Sequence, residues 1–377
     1  MQALYALRQA EASDFQLAID FIADTFRPDL NSMVAQEPRK LDKMRRLSLA
    51  ALDQIAKGID VLKDKDLPTE AYRTAQTAFE YYQKKVSEDR VSYGRTMLKE
   101  SEVAYESYLW VMTMLAEFGK IAKNDRERAY DDPDFVIAKE SGLDSNEIIQ
   151  VLVSSKTLEN QAARHGISWT EQLGDLRRVY REVFKTDETY RQYCQAHQHT
   201  PDEDQKMAQY ALRQLVLKSE GCVTYFEAKD LNWAENHQVV RDMGIKTLKT
   251  ATSEDAFKLS TLSENWEDDR WFMEELFNKT VENDHIFEGL INGQLKNWDA
   301  DRVAMTDNIL MKMALTEMMV FPGIPVKVTI NEIIEIAKEY STPKSGTFVN
   351  GILDVLSKQL VENNKIRKSG RGLIDNK

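Results

Sequence analysis

Two cysteines, Cys194 and Cys222, are all that a chain of 377 residues contains. They stand far apart, with no Cys-x-x-Cys pair and no histidine spaced as a zinc partner. That excludes a disulfide framework and a sequence-signalled zinc site, and both thiols read as buried or incidental. Glycine (15) and proline (8) are scarce, which removes turn-rich sheet proteins. No apolar run approaches the roughly 20 residues needed to cross a bilayer, and the start has neither a basic segment nor a cleavable apolar one. The expected location is cytoplasmic. Glycine-rich phosphate loops, a GxSxG elbow and an HExxH helix are absent as well. The sequence therefore points away from an enzyme, and no cofactor or metal is expected.

Leu, Ile, Met, Glu, Lys, Gln and Ala dominate instead, the composition that long helices require. The expected fold class is all-α, in two domains or in one domain with a large insertion. The formal charge is −12, from 62 acidic and 50 basic residues, so any nucleic-acid site must be local. Positive charge gathers in Arg39, Lys40, Lys43, Arg45 and Arg46, and again in Lys365, Arg367, Lys368 and Arg371. The ordinary reading of both groups is a solvated helix face or tail.

Apolar spacing divides the chain into helices. Leu4, Leu7, Phe15, Ala18, Ile19 and Ile22 predict one helix up to Phe26, or two broken around Ser13. A helical hairpin is expected over 38–63 and 68–123, then a loop at the polar run 124–133 ending in Pro133. Short helices follow from Asp144 to Glu220, with breaks near 166–168 and 199–201. The pattern sharpens toward the C-terminus. Trp271, Phe272, Leu276, Phe277 and Val281 form one stripe, and Ile286, Leu290, Ile291 and Leu295 the next. Asp299 is placed to cap a helix beginning at Ala300 or Asp301 that buries Val303, Thr306, Ile309, Leu310, Met313 and Met318. Thr329 and Glu332 have capping-box spacing, with Val328 and Ile333 as a hydrophobic staple. A last helix, 345–360, repeats Phe348, Ile352, Leu356 and Leu360. Together these make a compact five-helix bundle.

Three runs in this bundle, DADRVAMTDNILMKMALTEMM (299–319), IPVKVTINEIIEIAK (324–338) and TFVNGILDVL (347–356), resemble the NusB family in order, spacing and loop length. The likeness extends to WFMEELFNKT (271–280), to NW (297–298) and, at the other end, to MQALYAL (1–7). It implies a NusB-like helical bundle carrying an additional helical insertion region. The first helix of the core lies in 1–27, an insertion in 28–250, the core bundle in 251–362 and a basic flexible tail in 363–377. The resemblance further implies an RNA-binding transcription antitermination factor. Its partners are boxA-type single-stranded RNA, the small-subunit ribosomal protein NusE and the transcription elongation complex. The rival reading is a helical interaction scaffold that has kept the bundle and lost RNA binding.

Single-stranded RNA is read by stacking on aromatic rings and by hydrogen bonds to base edges, with cations along the backbone. Lys344, Ser345, Thr347, Phe348 and Asn350 supply those groups at a helix start, and Gln2 and Tyr5 join them from the first helix. Phe348 also fits a core position, and Asn350-Gly351 reads as a packing feature. Family members carry an arginine-rich segment just before QALY, whereas this sequence begins at Met1. Either the true start lies upstream and encodes that arm, the reading that a helix beginning in mid-pattern without an N-cap favours, or this homologue binds RNA through other residues. Trp271, Phe272, Glu274, Glu275 and Glu282 are the candidates for meeting a basic protein partner. Glu282 and His285 have the spacing of half a di-iron site, but no second Glu-x-x-His exists.

Overall fold

The computed structural model describes residues 1–29, 31, 36–59, 67–130, 142–196, 198–295 and 303–374. Helices joined by turns and irregular stretches make up these residues, with no strand among them, and no described helix is long and apolar enough to cross a membrane. The chain divides into two compact units, 99–269 and 1–98 with 270–377. The stretch 28–250 contributes residues to both.

The first three helices are α1 (Gln2–Thr25), α2 (Pro38–Ala56) and α3 (Thr69–Tyr130). The second half of α3 belongs to unit 99–269 and buries a wide arc in which Tyr108, Leu109, Val111, Met112, Leu115 and Phe118 are all fully covered, while Glu106, Thr113, Glu117 and Lys120 share the more open face. So wide an apolar arc needs neighbours on several sides. They are α4 (Glu147–Ser154), α5 (Lys156–Arg164), α6 (Leu173–Val179), α7 (Glu188–Gln195), α8 (Pro201–Tyr210), α9 (Glu220–Lys229) and α10 (Trp233–Thr250). The polar run after Lys123 is not the expected loop, because α3 continues to Tyr130. Its last turns are anchored by Arg126 on Asp144 at 2.5 Å and Asp125 on Lys185 at 2.5 Å. Breaks do fall at 165–172 and 196–200.

In the other unit, α1 serves two cores. Ala18, Ile22 and Phe26 pack with Met44, Ala51 and Leu52 of α2 and with Ala71, Ala75 and Ala78 of α3. Leu4 and Leu7 enter the core built by α11 (Trp266–Glu282), α12 (Asp284–Gln294), α13 (Met305–Val320), α14 (Val326–Tyr340) and α15 (Ser345–Glu362). The helix is unbroken at Ser13, whose hydroxyl donates to the Gln9 carbonyl at 3.1 Å. The centre of the bundle is α13, which buries Ile309, Leu310, Met311, Met313, Ala314, Leu315 and Met318. Its buried Lys312 and Thr316 are paired, as burial requires. Lys312 donates to Asp284 at 2.7 Å and to Glu288 at 2.6 Å, and Thr316 meets Thr280 at 2.9 Å.

Several local expectations need correction. Asp299 lies outside the described residues, and α13 begins at Met305 rather than Ala300 or Asp301, since Val303 and Ala304 are not helical. Thr329 is no cap: Pro325, extended at ψ 142°, launches α14 one turn earlier, and the Thr329 hydroxyl is buried and donates to Glu317 at 2.7 Å. Val328 faces solvent, so no staple forms. Along α15 the buried stripe is Val349, Leu353, Leu356 and Leu360, which leaves Phe348 and Ile352 half-buried beside it. Ile286 and Trp271 are each 57% exposed, and Phe287 and Phe277 occupy the core in their stead.

Beyond α15 the chain turns back at Asn364, whose φ is 54°, and Ile366 enters the core. Where a free basic tail is expected, Lys368 instead donates to the carbonyl of Phe321 at 2.9 Å and Ser369 N–H to that of Pro322 at 2.9 Å. A Cβ on Gly372 would lie 2.1 Å from the Pro322 oxygen. Only glycine permits that approach.

Candidate nucleic-acid interface

The turn from α14 to α15 is built around a buried carboxylate. Asp307, 5% exposed on α13, accepts the Ser341 hydroxyl at 2.7 Å and the Ser345 hydroxyl at 2.8 Å. Ser345 Oγ in turn accepts the Thr342 N–H at 3.2 Å and lies 2.8 Å from the Thr342 hydroxyl. This network fixes the backbone of the turn and the first residue of α15. Lys344 stands at the helix N-cap with its side chain exposed, and Thr347 and Asn350 are exposed one and two turns on. Phe348 is half-buried between them and the core.

The predicted RNA residues therefore separate into two kinds. Lys344, Thr347 and Asn350 are exposed and carry a cation, a hydroxyl and an amide, and Phe348 is half-buried among them. Ser345 is turned inward, with its hydroxyl committed to Asp307. Gly351 is exposed and a Cβ there would meet nothing within 4 Å, so the expected close helix approach does not occur there; Gly346 fills that role against Ile334. On α1, Gln2 and Tyr5 are exposed while their neighbours Leu4 and Leu7 are buried, which places the pair on the solvent side of the same bundle.

The predicted partner face lies on α11. Trp271 and Phe272 both pack on Phe321, with ring centroids 5.6 and 4.7 Å away. Glu274 pairs with Arg270 at 3.3 Å and Glu275 reaches Lys279 at 3.9 Å. Glu282 is engaged most fully, by Arg90 at 2.8 Å and Lys279 at 2.9 Å. Those two cations hold its carboxyl below the usual range, Lys279 contributing most. All three carboxylates thus pair within the fold, Glu282 with two cations and Glu274 and Glu275 with one each.

Two clusters escaped the sequence reading. One is the Asp307, Ser341, Thr342 and Ser345 network. The other joins Lys312 to Asp284 and Glu288, with Arg8 also on Asp284 and Asn308 donating to Glu288 at 3.1 Å. Burial lowers the Lys312 ammonium, while burial of Glu288 is outweighed by its bonds to Lys312 and the amides, leaving that carboxyl below its ordinary value. The available signal was the occurrence of Asp307 and Lys312 inside an otherwise apolar run, where an ionised group needs a partner.

Against known proteins, the model of the NusB family matches residues 236–358, which include α13, α14 and nearly all of α15. A transcription antitermination protein NusB of Salinibacter ruber is 44% identical over 105 residues, 28% of this chain and 66% of that protein. The protein of the same name from Chloroherpeton thalassium is 42% identical over 104 residues, covering 28% and 49%. That of Methylacidiphilum infernorum is 41% identical over 90 residues, covering 24% and 63%. The chain thus spans between about half and about two thirds of the curated relatives it matches. A solved structure of T. maritima NusB is 29% identical and covers 34% of this chain and 85% of its own, at a TM-score of 0.25. Residues 236–358, about a third of the chain, thus match the NusB family, and helical sequence precedes them.

Proposed function

We propose that the chain is a transcription antitermination factor whose bundle, formed by 1–27 and 251–362, binds boxA-type single-stranded RNA together with ribosomal protein NusE. The pair acts within the transcription elongation complex, in the cytosol, and favours processive transcription. The observation that carries this reading is the family match across α13–α15, the helices that position Lys344, Thr347, Phe348 and Asn350. A pinned turn supports it physically. A strand of RNA binds more tightly to donors and a ring already held in place than to a loop that must be ordered first.

In this reading the part-exposed Phe348 ring stacks on a base. Lys344 meets a phosphate, and Thr347 and Asn350 reach base edges, with Gln2 and Tyr5 extending the surface. Ser345 serves by holding the turn. Trp271, Phe272, Glu274, Glu275 and Glu282 meet the basic ribosomal protein. The acidic balance of the chain repels RNA at long range. A basic partner offsets this and extends the cationic surface. Partner and RNA then raise each other's affinity by one common factor.

Titrating labelled boxA-type RNA into the full chain alone and into its mixture with NusE tests the proposal. Tighter binding in the mixture supports it. No binding in either favours a scaffold that has kept the bundle without the RNA function.

A further inference from the structure

Unit 1–98 with 270–377 holds a concentration of positive charge that this RNA site leaves unused. Arg39, Lys40, Lys43, Arg45 and Arg46 fall within one stretch of α2 in a chain of net charge −12. Helix geometry, at 3.6 residues per turn, sorts them. Arg39, Lys43 and Arg46 share a single stripe, flanked by Lys40, directly opposite the buried Met44, Ser48, Ala51 and Leu52. All four cations are exposed. Asp42 is shared by Arg45 and Arg46, each at 2.8 Å, while Arg39, Lys40 and Lys43 pair with no carboxylate among the described residues.

This arrangement runs against what the helix itself prefers. The first turn of α2 contains Arg39 and Lys40 and no acidic residue, although the positive end of a helix dipole favours carboxylates there. Like charges three and four residues apart repel as well. Sequence features that oppose local stability without a packing gain mark functional surfaces. The exposed neighbours further along the stripe are Ala50, Asp53 and Gln54, with no large apolar group. A helix that lies on lipid needs such a group to insert, so a linear polyanion fits this face better than a membrane does.

We infer that the stripe Arg39, Lys43 and Arg46, with Lys40, binds the sugar-phosphate backbone of RNA flanking the element read at α15. The inference rests on the RNA-binding reading above. Its flanking position follows from α1, which runs about 35 Å at 1.5 Å per residue. Leu4 and Leu7 at one end lie in the core of α15, and Ile22 and Phe26 at the other end lie in the core of α2. Contacts to phosphates position RNA without reading its sequence.

The test compares Arg39→Gln/Lys43→Gln/Arg46→Gln with the unaltered full chain on two RNAs, a bare boxA-type element and the same element with unstructured flanks. Three lost phosphate contacts on a single strand reduce the salt slope by about 2, and affinity for the flanked RNA falls at least about tenfold at low salt. The bare element binds as before, and Arg39→Lys/Arg46→Lys, which keeps the charge, retains full affinity for both RNAs. An unchanged slope on the flanked RNA, or an equal loss on both RNAs, overturns the inference while leaving the RNA reading intact. Failure of the unaltered chain to bind either RNA overturns both.

Discussion

Ser345 donates its hydroxyl to Asp307 across 2.8 Å, tying the first residue of α15 to a carboxylate buried on α13. Ser345→Ala removes one of the two hydroxyls that satisfy that carboxylate. Leaving a buried acceptor short of its partner costs about 1–3 kcal/mol. Urea denaturation of the full chain should show that loss, and an unchanged midpoint would mean that water replaces the hydroxyl at no cost.

Phe348 and Leu353 lie on the same helix with different surroundings. Phe348 is half-buried and Leu353 wholly covered. Phe348→Ala should weaken RNA binding by about 1–3 kcal/mol, one base stack. Leu353→Ala should cost about 2–5 kcal/mol of stability and leave the RNA affinity of the folded protein unaltered. If Phe348→Ala binds RNA as tightly as the parent chain, its ring is a packing group alone.

Much of this bundle was legible in the sequence because helical spacing and composition are local signals. The α1 and α15 segments follow from their apolar spacing, although the stripe that α15 buries runs through Val349 and Leu353 beside the expected Phe348 and Ile352, and α14 starts a turn before its expected cap at Thr329. What could not be read were choices made by distant residues. The polar end of α3 stays helical because Asp144 and Lys185 reach it. Thr329 sits inside a helix because Pro325 starts that helix earlier and Glu317 takes its hydroxyl. The RNA candidates were named from side-chain chemistry and the family likeness. The inward turn of Ser345 depends on Asp307, 38 positions away.

Glycine positions predict opposite outcomes for the same substitution. In Gly372→Ala the new methyl meets the Pro322 carbonyl oxygen, a backbone atom that cannot swing aside. Overpacking of this kind costs about 1–3 kcal/mol. Gly351→Ala adds a methyl in open space within α15, and a better helix former there should stabilise by up to about 1 kcal/mol. Melting temperatures of the two variants should therefore move in opposite directions.

Lys368 gives the fold a pH dependence with a defined sign. Burial lowers its ammonium to about 8, against the opposing pull of Glu317. Unfolded, the group keeps its ordinary value near 10.4, so between these limits the unfolded chain binds more protons. The contribution of Lys368 to stability is smallest below pH 8 and grows as pH rises toward about 10.4. The stability difference between the parent chain and Lys368→Met should shift in favour of the parent across that window. A difference that stays constant with pH would show that the amine titrates alike in both states.

The most direct test of the central claim is a comparison of affinities for boxA-type RNA and for a scrambled RNA of equal length and composition, at one salt concentration. Phosphate contacts are common to both, so only contacts to bases can separate them. The account predicts that boxA-type RNA binds at least about tenfold more tightly, the effect of roughly one specific base contact. Equal affinity for the two RNAs would contradict it.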